Sequence, residues 1–276
     1  MMPWRGVECG GLRPALVVLP LLLAGCASTA IQENQAATSA FALREVGVEA
    51  QLQSTDDARA AAATNARTLL AEPLTADGAV QIAVGYSPTF QRMLADSAAA
   101  SAAATQSARL PNPVLSYSRL AAGDVTEIDR ALTLSLLDFV LLPQRRRLAD
   151  LQQAQHRLRS AGDVIGTATA AREAWIDAVA ARQSLAYAAQ AQKAAEAGAE
   201  LGRRMAAVGN FSRLEAAREQ AFYAETTAEV ARAQLEAQRT REVLIRLLGL
   251  SGDLADKLTL PDRLPDLPAN PDDESV

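Results

Sequence analysis

The chain has 276 residues, a formal net charge of −5, 4% aromatic residues and two cysteines. A mildly acidic chain lacks the basic stripe expected of a nucleic-acid-binding protein, so nucleic acid is excluded as a partner. Ala is abundant throughout, and because it is the strongest helix former and lets backbones approach closely, the composition predicts packed helices.

The first 25 residues have the order of a secretory signal peptide, with basic residues, then an apolar segment from Ala15 to Leu23, then small residues. The apolar segment is too short to span a bilayer as a helix, which needs about 20 residues. Its end, Leu23-Ala24-Gly25-Cys26, resembles the lipobox of bacterial lipoproteins. That resemblance implies lipid attachment at Cys26. Because Ala27 stands where inner-membrane lipoproteins carry Asp, it also implies the outer membrane.

The segment after the lipobox, residues 26–72, is rich in Ala, Gln, Thr and Ser but has no sustained apolar stripe. We predict that it is a lipid-anchored tether lying against another part of an assembly. The main unit, residues 73–250, begins with a helix over 76–109, which Thr75 can cap. The two prolines of Leu110-Pro111-Asn112-Pro113 end this helix, because proline does not continue one.

A β-hairpin is predicted over 114–142, where two stretches alternate between apolar and polar residues. The second stretch begins at residue 131 and places three leucines on one face and hydroxyl side chains on the other. Each stretch is close to the 9–11 residues that a tilted transmembrane strand requires. The predicted membrane-facing residues are Leu132, Leu134 and Leu136. An amphipathic hairpin on a soluble core is the alternative.

Two long helices follow, over 144–208 and 212–249. In the first, Leu151, Leu158 and Ile165 recur at seven-residue steps, which is the spacing of a coiled coil. The pattern therefore predicts closely paired antiparallel helices. Residues 251–276 carry four prolines and several acidic residues, which predicts a linker or tail.

The turn between the two long helices carries its own signals. Gly209 or Asn210 can adopt the left-handed conformation that ends a helix. Ser212 and Glu215 have the spacing of a capping box, in which each side chain bonds to the backbone of the other residue. The predicted tip comprises Val208, Gly209, Asn210, Phe211 and Ser212.

Helix lengths suggest an architecture. At 1.5 Å per residue, the helix over 144–208 is roughly 98 Å long, and the helices before and after it are roughly 51 and 57 Å. The two shorter helices, stacked end to end, would therefore match the long one.

This arrangement resembles the TolC-like outer membrane efflux protein family. The similarity rests on Leu74 to Phe90, on Ala108 to Leu115 at the start of the first strand, on Arg203 to Leu214 around the tip, and on Leu244 to Gly249. It implies a mainly α fold of long antiparallel coiled-coil helices, with a two-stranded β-hairpin that contributes to an outer-membrane β-barrel. It also implies a passive efflux conduit.

The resemblance further implies partners: a periplasmic adaptor (membrane fusion) protein at the tip, an inner-membrane pump, outer-membrane lipid and further copies of the chain. The family normally carries two copies of this unit, whereas this sequence has one. Open sheet edges are not tolerated in lipid. Barrel closure would therefore require a hexamer if this length is natural, or a trimer of a longer protein from which this chain is truncated.

No catalytic or cofactor site is expected. The chain has one His, Cys9 belongs to the predicted signal peptide, and Cys26 is predicted to carry lipid, so a metal site lacks ligands. Phosphate-binding and hydrolase motifs are also missing from the sequence. Alternative functions are a lipid-anchored periplasmic coiled-coil protein or a non-functional truncated conduit fragment.

Overall fold

The computed structural model describes residues 28–266, so Cys26 and the last ten residues of the predicted tail lie outside the described residues. These residues are mainly helical with one two-stranded antiparallel sheet, which confirms the coarse fold prediction. The described elements, in chain order, are α1 (Ser28–Val46), α2 (Asp56–Leu69), α3 (Ala76–Gly85), α4 (Pro88–Ser107), β1 (Val114–Ala122), β2 (Val125–Thr133), α5 (Leu136–Ala207), α6 (Arg213–Leu248) and α7 (Asp253–Asp256).

The chain divides into two compact units. The first unit comprises Met1–Phe41 and Met93–Gly162, and the second comprises Ala42–Arg92 and Asp163–Val276. No helix of residues 28–266 is long and apolar enough to cross a membrane.

Polar side chains hold the helices of the first unit together. Asn34 of α1 donates from Nδ2 to Ser101 Oγ of α4 at 2.8 Å. Gln153 of α5 donates from Nε2 to the Ser101 carbonyl at 2.8 Å and to Thr105 Oγ1 at 3.1 Å. The described part of the predicted tether, residues 28–72, forms α1 and α2, and α1 lies against α4 and α5. A search for apolar stripes misses α1 because buried hydrogen bonds, rather than an apolar face, attach it.

The second unit has the larger apolar core. Its fully buried large side chains are Leu74, Ile82, Val84, Phe90, Val164, Val179, Leu244 and Leu248. Trp175 of α5 is buried among them and donates from Nε1 to the Leu74 carbonyl at 2.7 Å. This bond satisfies the one polar group of an otherwise apolar side chain.

The predicted helix over 76–109 is in fact two helices, α3 and α4. The break falls at Tyr86 and Ser87, directly before Pro88. The residue before a proline is disfavoured in helical conformation, whereas proline itself fits the first turn of a new helix. The Ser87 hydroxyl donates to the Leu247 carbonyl at 3.1 Å, which fixes the break against α6.

The predicted Pro-rich tail also needs correction, because its described part packs on the second unit. Leu254, Leu258 and Leu260 are buried. Arg182 of α5 pairs with Asp262 at 2.6 Å. Pro261 directly follows the buried Leu260. The prediction of a linker or tail was based on the proline and acidic content and did not consider the spacing of the leucines.

The predicted hairpin over 114–142 ends earlier than expected, at Thr133. Val114 pairs with Thr133, so the next partner for Leu134 would be Pro113, which has no N–H to donate. Leu134 therefore lies beyond the strand, and Leu136 is the first residue of α5. Pro143, predicted to precede the long helix, lies inside it.

The predicted coiled-coil register is not confirmed. Leu151 and Leu158 are 69% and 77% exposed. Within the second unit, buried positions of α5 recur at seven-residue steps in two series. One is Val164, Ala171 and Ala178, and the other is Ala174, Ala181, Ala188 and Ala195. Small residues occupy this face because they let the neighbouring elements approach closely.

Candidate functional surfaces

The predicted tip is a tight turn between α5 and α6 in the second unit. Gly209 has φ +83°, the left-handed conformation expected at the end of a helix. The backbone N–H groups of Asn210 and Phe211 both donate to the Met205 carbonyl, at 2.9 and 3.2 Å. These bonds hold the turn in one conformation and leave Val208 71% exposed at its apex.

The capping box at the start of α6 is present as predicted. The Ser212 N–H donates to Glu215 Oε2 at 2.7 Å, and the Glu215 N–H donates to Ser212 Oγ at 3.2 Å. The first of these bonds stabilises the carboxylate and lowers the pKa of Glu215 below its ordinary value. The tip residues 208–212 are thus brought together as one ordered, solvent-facing turn.

Charged side chains surround this turn. Glu200 pairs with Arg203 at 2.5 Å and with Arg204 at 2.8 Å, and the hydrogen bonds from Arg204 and then Arg203 lower the pKa of this carboxyl group. Arg213 lies on the other side of the turn and is exposed. An ordered turn with an exposed apolar apex and flanking guanidinium groups is suited to contact another protein.

The β-hairpin forms a second exposed surface, in the first unit. β1 and β2 pair in antiparallel register from Val114 opposite Thr133 to Ala122 opposite Val125. Every residue of β2 is exposed. Gly123, with φ +61°, begins the two-residue turn between the strands.

The register distributes charge on both faces of this hairpin. Leu115 lies opposite Leu132, but Arg130 lies on the same face as Leu132, two residues away in a strand whose side chains alternate. The other face carries Glu127 and Asp129. Neither face is therefore apolar along its full length. Alternation within β2 alone assigns these charges to the two faces, and the sequence analysis missed them because it considered only the leucine pattern that begins at residue 131.

Of the three predicted membrane-facing residues, only Leu132 lies in a strand, although all three are exposed. Sequence reasoning missed their exposed apolar neighbours in α5, Leu137, Phe139 and Val140. The apolar run before Pro143 could have indicated these residues, but it was interpreted as the end of a strand.

The second unit carries an exposed apolar stripe along α5. Its members are separated by 11, 11 and 14 residues, which places them within about 40° of one another on a helix. They are Ile165, Ile176, Tyr187 and Leu201. A narrow apolar stripe on one helix face is typical of a surface that packs against a further helix.

Among the described residues, no group of three or more His, Cys, Asp or Glu side chains could hold a metal ion. The first unit contains a cleft of about 570 Å³ near the start of β1, lined in part by Arg109, Asn112 and Arg145. Arg145 is paired there with Asp138 at 2.5 Å.

No protein-family model and no curated protein matches this chain. Among solved structures, it is similar to a chain of the crystal structure of a membrane protein from Pseudomonas aeruginosa, with a TM-score of 0.56 and 19% sequence identity. The match covers 68% of this chain and 47% of that one, so this chain spans about half the length of that structure. At this identity the similarity establishes a shared fold and nothing more.

Proposed function

We propose that this chain is the outer-membrane component of an efflux system, a passive conduit for small solutes such as drugs or metal ions. It would be anchored by lipid at Cys26 and would contact a periplasmic adaptor through residues 208–212. An inner-membrane pump would supply the energy, so the chain itself needs no catalytic site and no cofactor.

The observation that carries this proposal is the order and exposure of the elements. Two helices (α3 and α4) lead to an exposed hairpin, and the 72-residue α5 leads to a capped tip from which α6 returns. The fold is shared with about half of a chain described as a membrane protein. A long helix that ends in an ordered turn is suited to contact a distant partner protein rather than to bind and convert a substrate.

Exposed apolar surface supports a homo-oligomer. The four stripe residues on α5 are 42–74% exposed, and every residue of β2 is exposed. Burial of one leucine-sized side chain contributes about 1.5–3 kcal/mol. Four such residues per copy would favour side-by-side association strongly. A hexamer is expected if one unit per chain is the natural length, and a trimer if a second unit belongs to the protein.

The native mass of the detergent-extracted protein tests this proposal. A closed hexamer or trimer, reproduced by crosslinking in the membrane, is the expected result. A monomer, or a mixture without a defined mass, would contradict the conduit function, because two strands alone cannot satisfy their edges in lipid.

The tip has its own test. Phe211→Asp should weaken crosslinking to the adaptor while leaving expression intact, since it places a charge in the proposed contact. Phe222→Asp, a matched change at an exposed position of α6 away from the tip, is the control. Equal crosslinking of the two variants would argue against adaptor docking at residues 208–212.

The charges on both hairpin faces favour one alternative, a lipid-anchored periplasmic structural protein whose hairpin is not inserted. A midplane Arg on a lipid face costs roughly 2–4 kcal/mol, and Arg130 shares its face with Leu132. Extraction after Cys26→Ser separates the two functions. An inserted conduit still requires detergent, whereas the anchored protein becomes soluble in buffer.

A further inference from the structure

The first two turns of α5 expose apolar side chains to an unusual degree. Leu136 is 78% exposed and Val140 is 73% exposed, and Leu137 and Phe139 are also at least half exposed. At about 100° per residue, these four side chains cover an arc of about 160° on the helix. A helix of a water-soluble protein turns such an arc inward.

The same apolar character continues into the base of the hairpin. Leu115 lies opposite Leu132, and Val114 lies opposite Thr133 at the open end of the sheet. We define the apolar belt as residues 114–116, 131–134 and 136–140. Its only charged side chain, Asp138, is paired with Arg145 at 2.5 Å.

Charged residues bound this belt on both sides. On the hairpin, Tyr117 lies opposite Arg130, and Ser118 opposite Asp129. On α5, the consecutive residues Arg145, Arg146 and Arg147 follow Pro143. Aromatic and basic side chains at the edges of an apolar surface are typical of membrane–water interfaces.

The arginines are oriented to suit this boundary. Viewed down the axis of α5, Arg147 lies within the exposed apolar arc and Arg146 lies within about 20° of its edge. Both lie one to two turns further along the helix than the end of the arc. Within residues 28–266 no carboxylate pairs with either of them or with Arg109, which lines the neighbouring cleft together with Arg145. The segment 136–147 carries three arginines and one aspartate, a local charge of +2 in a chain of net charge −5.

We propose that the apolar belt contacts lipid acyl chains, and that Arg146 and Arg147 bind the phosphate groups of anionic lipid headgroups. The lipid-contacting part of the chain is then the hairpin base together with the start of α5, rather than the full length of the hairpin. The distal half of the hairpin, which contains Arg130, Asp129 and Glu127, lies beyond the acyl chains.

Dimensions agree with this assignment. Four strand residues extend about 13 Å and the nine residues from 136 to 144 about 13 Å as a helix. Placed end to end, these two segments would not exceed the thickness of one hydrocarbon core, which is ~30 Å. The assignment also removes the difficulty of placing Arg130 on a lipid face. It rests on the proposed membrane location but not on the conduit function.

The test places single tryptophans in the full, lipid-anchored chain, reconstituted into vesicles of phosphatidylcholine and phosphatidylglycerol that carry brominated acyl chains. The variants are Phe139→Trp and Leu115→Trp in the belt, Ile128→Trp in the distal hairpin, and Phe222→Trp on α6 as the control. The parent chain gives the background from Trp175, which is buried.

Strong quenching at 139 and 115, with background quenching at 128 and 222, is the expected result. Quenching at 115 and 128 but not at 139 would overturn the belt and leave the inserted hairpin of the conduit proposal intact. Quenching at all three positions would overturn the distal limit of the belt. Quenching at none of them would overturn both proposals, because only the lipid anchor would then hold the chain at the membrane.

The arginine assignment is tested by vesicle binding of the full chain carrying Cys26→Ser. Replacing Arg146 and Arg147 with Gln should reduce the partition coefficient for phosphatidylglycerol-containing vesicles about fivefold per arginine, the change that about 1 kcal/mol per basic residue produces. Binding to pure phosphatidylcholine should change little. The matched pair Arg203→Gln and Arg204→Gln at the tip is the control, and an equal loss in both pairs would overturn headgroup binding at the belt.

Discussion

Gly249, at the end of α6, is held in a conformation and a space that only glycine fits. Its φ is +69°, and its N–H donates to the Arg246 carbonyl at 3.1 Å while the Leu250 N–H donates to the Ile245 carbonyl at 3.0 Å. This pair of bonds is a Schellman motif. A Cβ built on Gly249 would lie 2.3 Å from Pro88 Cδ at the start of α4.

The cost of Gly249→Ala can be worked out from these two features. A left-handed conformation costs an L-residue roughly 1–2 kcal/mol. Carbon atoms in contact normally lie about 3.5–4.0 Å apart, so the rigid proline ring must move by more than about 1 Å. Overpacking of this kind costs about 1–3 kcal/mol. The free energy of unfolding of the second unit should therefore fall by about 2–5 kcal/mol.

Gly209→Ala is the matched control, because Gly209 also ends a helix with positive φ but has no atom within 4 Å of an added Cβ. It should lose only the conformational part, about 1–2 kcal/mol. Denaturant unfolding followed by Trp175 fluorescence measures both variants, since Trp175 is buried in the second unit. Equal losses in the two variants would refute the steric reasoning.

Three further predictions concern packing and capping. Gly202→Val should destabilise the pairing of α5 and α6 by about 1–3 kcal/mol, since an added Cβ would lie 3.3 Å from Glu219 Cγ. Gly166→Ala, in open space on the same helix, should instead raise the free energy of unfolding by about 0.5–1 kcal/mol. Thermal unfolding should therefore show a lower melting temperature for Gly202→Val and a higher one for Gly166→Ala than for the parent. Glu215→Gln should lower stability at neutral pH, and its difference from the parent should disappear as pH falls below the ordinary value of 4.5 and through the still lower folded-state pKa. A difference that persists unchanged in acid would contradict this assignment. Gln153→Leu removes the hydrogen bonds between α5 and α4 and should speed proteolysis of the first unit more than of the second, as mapped by the fragments released.

The helix ends are features that can be predicted from the residues within a few positions of them. Thr75 and Ser212 cap α3 and α6 as predicted, and Gly249 ends α6. These signals act within four residues, so no distant contact is needed to interpret them. The break before Pro88 was equally local and was missed only because the apolar pattern on both sides of it looks continuous.

The candidate surfaces were less predictable. The tip residues 208–212 follow from their turn chemistry, and the structure forms the ordered turn that this chemistry implies. The second strand was predicted to continue past Thr133, because the alternation of leucines continues beyond the last residue that β1 can pair. An alternating pattern does not specify where its partner strand ends.

The sequence by itself determined the mainly helical character, the hairpin and the positions of the caps. Each of these depends on propensity or on backbone groups within one turn. Only the tertiary structure decided the docking of α1 through Asn34, the burial of the leucines after Gly249, and the register that places Leu115 opposite Leu132. These features depend on pairing between residues that are distant in the chain. The sequence contains the partners, but only the folded backbone brings them within hydrogen-bonding or packing distance.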